Sequence, residues 1–324
     1  MKTYRINLVP RTAFGSPLLG ETLFGSLCWA VVRLSGENRL KNLLEGYDEG
    51  RPFAVVSDAF PAGFVPLPAM PTSFWTPAVA ADRKKLKKQI WLAHDDLERA
   101  PREWRNLAKA SSELPGRKKV KTNEGWKVPP ASLTVAVVHN TIDRLTNCTG
   151  EGQFAPYLQE QRWLNSDVEL EVTVVLDESR FTPEELVGAF QYIGNSGFGC
   201  DASIGLGKFE LTGSPVEVVG CRASRRFLAL ASSVFGGMPG MVSEETYYRV
   251  RTHFGRHGAE LALSGAPFKQ PVLMAQSGAV VTFDQPVTTT FVGRGITGIS
   301  RIQPEAVHQG YAPVLPLPDW KETP

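Results

Sequence analysis

Twice in this chain an apolar period of two residues gives way to one of about 3.6, and each time further strand-like runs follow. That pattern limits the fold more than any single motif does. In residues 3–9, Tyr4, Ile6 and Leu8 fall on one side of a half-buried strand. After a turn at Gly15, Ser16 and Pro17, the residues Leu23, Leu27, Ala30, Val31 and Leu34 recur at helical spacing, and Gly36 ends that helix. Leu40, Leu43 and Leu44 predict another turn or two of helix, and residues 53–56 a strand. The pattern returns with a strand at residues 168–176 and then the best-marked helix in the chain. Thr182 supplies a hydroxyl cap, Pro183 takes the first helical position and Glu185 completes a capping box. Leu186, Phe190 and Ile193 form its buried stripe, and Gly194 can stop it. Residues 208–211 and 216–219 read as short strands. The whole predicts an α+β fold whose first part is a βαββαβ, ferredoxin-like (RRM-like) unit carrying an insertion.

Within that insertion, residues 60–77 read as a Pro-rich loop and residues 83–107 as helix interrupted by Pro101. Residues 116–130 read as an exposed loop or hairpin, and 133–138 as a strand. From about residue 221 the text becomes β-rich, with strands expected at 227–234, 247–252, 272–275, 280–283 and 288–292 and a proline-rich tail at 313–324. The expected domains are therefore 1–220, with a basic insertion at about 83–130, and a β-rich second domain at 221–324.

Net charge is only +2, but it is unevenly spread. Residues 83–130 hold 14 Lys/Arg against 6 Asp/Glu, a balance of +8, while the rest holds 21 against 27, a balance of −6. A local basic excess is the footprint of a segment that meets a polyanion, or else of a solvated insertion. The four cysteines, Cys28, Cys148, Cys200 and Cys221, form no CxxC pair and no zinc-ligand spacing, so free thiols are expected and no metal. No run reaches the roughly 18 apolar residues of a membrane span, and the first ten residues lack a signal-peptide core. The expected setting is the cytoplasm, with no membrane partner.

Three loops carry chemistry. Gly197, Gly199, Gly205 and Gly207 punctuate a stretch in which backbone N–H groups can approach a phosphate, with Ser196 before it and Lys208 after it. It contains a formal GxGxxA, but a helix precedes and a strand follows, the reverse of a dinucleotide fingerprint. His139, Asn140 and Arg144 sit just after a strand and offer a cation and base-edge donors, unless Asp143 simply pairs with Arg144 in an ordinary turn. The third loop, 253–258, offers Arg256 and the ring of Phe254 for base stacking. Its two glycines argue against the helix that a metal at His253 and His257 would need. Lys84 and Lys85 head the basic segment. A GxSxG or HExxH motif is absent, and a lone Asp58 after a strand is the only isolated carboxylate of note, more often structural than catalytic.

Several separated signatures together resemble the RAMP superfamily of CRISPR proteins. They are Thr22-Leu23-Phe24-Gly25-Ser26-Leu27-Cys28-Trp29-Ala30, Pro52-Phe53, Ser57-Asp58-Ala59-Phe60-Pro61 and Asn140-Thr141-Ile142-Asp143-Arg144. The glycine-rich 197–207 loop, Pro267-Phe268-Lys269 and His308-Gln309-Gly310-Tyr311-Ala312-Pro313 complete the set. The chain looks most like the type III-A (Csm) subunit that caps the 5′ end of the crRNA. That resemblance implies two ferredoxin-like domains and binding of the crRNA 5′ handle. It also implies contact with the large polymerase-like subunit and with the neighbouring backbone RAMP subunit, a connection to target RNA only through the complex, and neither catalysis nor cofactor. It implies RNA contacts at Asn140, Arg144, Ser196, Lys208 and Arg256. A RAMP endoribonuclease that processes precursor crRNA is the competing enzyme reading, but such relatives use a histidine near the first helix, and residues 18–47 have none. The same residues also fit a repeated backbone subunit of the complex or a protein-docking module.

Overall fold

The computed structural model describes residues 1–75, 83–114, 120–122, 125–127, 130–165, 167–218, 220–258, 261–262 and 264–320. β1 (Lys2–Pro10) buries Tyr4, Ile6 and Leu8, the alternation read from the sequence. α1 (Gly20–Ser35) follows, burying Leu23, Phe24, Leu27, Ala30 and Val31, and ends at Gly36. Its own N-cap, Leu19, offers no side-chain oxygen; instead the Gly20 N–H donates to Oδ1 of Asp58 at 2.8 Å. Asp58 is thus a helix cap supplied from elsewhere in the chain. α2 (Glu37–Leu44) and β2 (Ala54–Val56) come next.

The stretch expected to be a Pro-rich loop contains β3 (Phe60–Pro61) and β4 (Phe64–Pro66), and each proline closes a strand, where its missing N–H breaks no ladder. Its residues 76 and 77 lie outside the described residues. The stretch expected to be one interrupted helix divides into α3 (Arg83–Lys88), β5 (Gln89–Ala93) and α4 (Pro101–Leu107). Pro101 begins α4 rather than breaking it, because the first helical N–H has no intrahelical partner to lose. β6 (Lys109–Ala110) joins β4 and β5 in a small sheet. This part of the insertion is folded: Leu92, Leu97 and Trp104 are buried. β7 (Val120–Thr122) and β8 (Gly125–Lys127) form the expected hairpin, while 116–119, 123, 124, 128 and 129 lie outside the described residues.

β9 (Ser132–His139) pairs with β10 (Tyr157–Leu164), a strand the sequence did not announce. β11 (Leu170–Leu176), α5 (Pro183–Ser196) and β12 (Phe209–Glu217) complete the first part. The capping box is present, with the Thr182 hydroxyl accepting from Glu185 N–H and the Glu185 carboxylate from Thr182 N–H. α5 runs past Gly194 to Ser196, and Gly197, at φ 97°, ends it. The strands expected at 208–211 and 216–219 are one strand, bulged opposite β1, with residue 219 outside the described set. The sheet order is β12-β1-β11-β2, antiparallel throughout, and α1 and α5 pack on it and on each other.

The second half contains β13 (Ser224–Ala229), β14 (Val250–His253), β15 (Val272–Ala275), β16 (Val280–Val287), β17 (Phe291–Ile296) and β18 (His308–Pro316). Four of these form an antiparallel sheet in the order β16-β13-β18-β17, and β14 pairs with β15 alone. Among the described residues this half has no α-helix. The expected proline-rich tail begins inside β18, where Val314 is buried, and Leu317 just beyond the strand is buried too; residues 321–324 lie outside the described set.

The halves are stitched together by buried polar contacts as well as by packing. Tyr311 of β18 belongs to the first hydrophobic core, and its hydroxyl donates to Tyr47 O at 2.6 Å. The fully buried amide of Gln309 accepts from Val56 N–H at 2.8 Å and donates to Val56 O at 2.7 Å. It takes the place of one more strand against β2. Trp104 and Trp320 meet edge to face at 5.8 Å and tie the insertion to the second half.

Candidate nucleic-acid interface

The glycine-rich loop owes its shape to close backbone approach. Gly207 has φ 74°, and a Cβ there would lie 2.1 Å from Phe198 O. Its N–H donates to Ala13 O at 2.7 Å, and Phe198 N–H donates back to Gly207 O at 3.0 Å, which buries the Phe198 ring. Gly199, also at positive φ, lets the chain pass Ser16, whose hydroxyl accepts from Cys200 N–H at 2.9 Å. The N–H groups of Gly197, Phe198, Cys200, Ile204, Gly205, Leu206 and Gly207 all donate within the protein. What the loop presents outward is therefore Ser196, Gly199, Cys200, Ser203, Ile204 and Lys208. Ser196 lies at a helix C-terminus, the negative end of the dipole, so it offers an RNA only its hydroxyl.

The β9–β10 ribbon leaves the body beside this loop. It is fastened by paired backbone hydrogen bonds between Phe14 and Arg162, both 2.9 Å. One of its faces carries Gln159, whose amide oxygen lies 4.0 Å from the Cys200 sulfur. Two residues further along the same face, His139 stacks on Tyr157 with ring centroids 5.5 Å apart. The other face and the tip expose Val138 (64%), Leu158 (68%) and Leu145 (96%). Asp143 does not pair with Arg144; its carboxylate accepts Leu145 N–H at 2.9 Å and shapes the turn, and Asn140 and Arg144 stand exposed.

Arg256 lies on the loop after β14, opposite Phe268. It is exposed, and its charge bears on Cys200, whose thiol pKa is raised first by burial and then by Asp201 while Arg256 pulls it down. His139 and Arg256 are thus both neighbours of the 197–207 loop, the first through the Gln159 face of the ribbon and the second through its charge on Cys200. Lys84 and Lys85 are not: exposed on α3, they sit toward the Ser132 end of the ribbon, and β9 is ~24 Å long.

Behind Arg256 lies a buried polar seam between α1 and the second half. The Glu21 carboxylate, without exposure, accepts from Arg251 at 2.8 Å and lies 3.3 Å from His253 Nδ1. His253 stacks on His308 at 4.9 Å. Burial raises the Glu21 carboxyl, with Asp58 adding to the rise, and holds His253 down to about 4, with Arg251 next. Burial likewise holds His308 at about 3, with His253 next. Asp58, lifted by burial, serves as the α1 cap already described. The His253/His257 pair lies in extended chain, and the described residues hold no group of three or more His, Cys, Asp or Glu able to hold a metal. All four cysteines are free thiols. No described helix is long and apolar enough to cross a membrane.

No family model matches the sequence, and no curated protein does. Solved structures do. The Csm3–Csm4 subcomplex of a type III-A CRISPR-Cas interference complex matches with TM-score 0.59 and 14% identity, over 98% of this chain and 100% of the other. A Csm1–Csm4 cassette in complex with pppApA matches with TM-score 0.55 and 15% identity, over 98% of each chain. The chain has the fold of the Csm4 subunit. The RAMP resemblance read from scattered motifs is met at the level of fold, across nearly the whole chain. Sequence reasoning missed Tyr157 and Gln159, since residues 157–164 mix polar and apolar side chains without alternation. It also missed the seam, whose members Glu21, Arg251 and His308 are far apart in the chain.

Proposed function

We propose that this chain is a non-catalytic, RNA-binding subunit of a type III CRISPR ribonucleoprotein. In this reading it holds the 5′ handle of the crRNA and meets both the large polymerase-like subunit and the neighbouring backbone RAMP subunit. Target RNA is reached only through the assembled complex. The observation that carries the reading is the Csm4 fold along 98% of the chain. The placing of His139 and Arg256 as neighbours of the glycine-rich loop supports it, because together they offer a cation, a stacked imidazole and loop hydroxyls to single-stranded RNA.

The strand order β12-β1-β11-β2, with α1 and α5 as the intervening helices, favours a ferredoxin-like first domain. We assign the β-rich half to a second, diverged domain. The exposed apolar end of the ribbon is the surface for a neighbouring subunit or the guide itself. The endoribonuclease reading gains nothing from α1, which carries no histidine, and its one buried acid, Glu21, is held by Arg251.

The test is omission. Complexes assembled with and without this subunit are treated with ribonuclease and the crRNA ends are mapped. The handle should lose its protection when the subunit is absent. Equal protection in both assemblies would overturn the proposal.

A further inference from the structure

Between β14 and β15, residues 254–258 alternate between solvent and body, and residues 267–269 run antiparallel beside them with the same alternation. Gly255 and His257 are buried, with His257 Nε2 2.8 Å from Ser300 Oγ, and Lys269 is turned inward, its ammonium disfavoured by burial. Gly258 comes so near Trp29 of α1 that a Cβ would lie 2.6 Å from the indole nitrogen. The backbone is locked by His257 N–H to Pro267 O and Lys269 N–H to Gly255 O, both 2.8 Å. With these residues facing in, Phe254, Arg256 and Phe268 must face out. Phe254 is 67% exposed and Phe268 62%.

Arg256 and Phe268 are directly bridged across the two strands, and the guanidinium lies 5.7 Å from the Phe268 ring while donating to Ala262 O at 3.2 Å. Among the described residues Arg256 has no carboxylate partner. Two phenyl rings held in water beside an arginine, one two residues before it and one bridged to it across the paired segments, are poorly placed for a folded protein on its own. They are well placed for a ligand with flat, apolar faces joined by anionic links. Arg256 is also near enough to the glycine-rich loop for its charge to act on Cys200.

We infer that Phe254 and Phe268 form a base-stacking platform, with Arg256 beside them for a phosphate, for unpaired nucleotides of single-stranded RNA. The inference rests on the RNA-binding reading above and adds to it where bases stack. Because every base has a π-face, the platform tolerates any sequence. It is therefore a grip on the RNA rather than a reader of it.

The full-length chain and its F254A/F268A, R256A and F268W variants are titrated with fluorescent ~8-nucleotide oligouridylate and oligoadenylate over a range of salt. Loss of both rings should weaken binding roughly five- to hundredfold per stacked base, with the salt dependence unchanged. R256A should lower the slope of log K against log salt by about 0.7, the value of one phosphate contact on a single strand. The indole in F268W should be quenched on binding. Both aromatic side chains are exposed, so the melting temperature of F254A/F268A should match the parent. If the parent binds RNA and F254A/F268A binds it equally well, the platform is refuted while the RNA-binding reading stands. If F254A/F268A keeps RNA but releases a protein subunit from the assembled complex, the rings dock protein and the platform is refuted. If the parent binds no RNA alone or in the complex, both fall together.

Discussion

Replacing Gln309 by leucine removes one amide of similar size and strands two backbone groups. The Val56 N–H and C=O face that amide at 2.8 and 2.7 Å, at a side chain with no exposure, so water does not take its place. Each unpaired buried backbone group costs about 1–3 kcal/mol, and leucine offsets part of this by burying carbon where an amide was. A net loss of about 3 kcal/mol follows. A chain of 324 residues unfolding as one unit has an unfolding entropy of about 0.7 kcal/mol/K, at roughly 2.1 cal/mol/K per residue. The melting temperature of Q309L should therefore fall by about 4 °C in circular dichroism. A larger fall would mean that the second half detaches before the first unfolds. A variant melting within about 1 °C of the parent would refute the idea that this amide stitches the two sheets together.

Arg251→Met should destabilise by about 3 kcal/mol, since it leaves Glu21 buried without its cation; urea unfolding reads this directly. His253 and His308 are held neutral in the fold well below the usual 6.5, so as pH drops below 6.5 the unfolded chain takes up protons first and stability falls. Glu21 and Asp58, raised by burial, act in the opposite sense, gaining stability as pH falls through their folded values. His308→Phe should accordingly flatten the acid limb of the melting profile between about pH 6.5 and 3, and parallel profiles would count against it. Gly207→Ala puts a methyl 2.1 Å from Phe198 O at φ 74°, so it should unfold the glycine-rich loop, seen as protease cleavage near residue 200. Neutralising Lys84, Lys85, Lys87 and Lys88 together should leave the handle contacts intact and lower only the salt-dependent part of RNA affinity, because α3 lies toward the far end of the ribbon.

Local signals were legible wherever the deciding residues are neighbours. The Thr182–Glu185 box and the Tyr4, Ile6, Leu8 alternation both sit in the structure as read. Pro101 misled because proline marks a helix start as readily as a break. β18 was hidden by Gly310 and Pro313, which look like breakers. Gly310 is required there, since a Cβ would lie 2.5 Å from Arg294 O on β17. The loop chemistry of His139, the glycines and Arg256 could be nominated from sequence, but the approach of the ribbon to the glycine-rich loop depends on Gln159 meeting Cys200, which no local pattern encodes. The outward turn of Phe268 was likewise set by which neighbours bury, His257 against Ser300 and Gly258 against Trp29.

The most direct test of the central claim is to assemble the complex with its crRNA, crosslink by ultraviolet light and identify the joined peptides by mass spectrometry. Handle nucleotides should be joined to peptides containing residues 139–144, 196–208 and 254–268. Crosslinks from spacer nucleotides alone, or none to this chain, would contradict the account and leave a backbone or protein-docking subunit in its place.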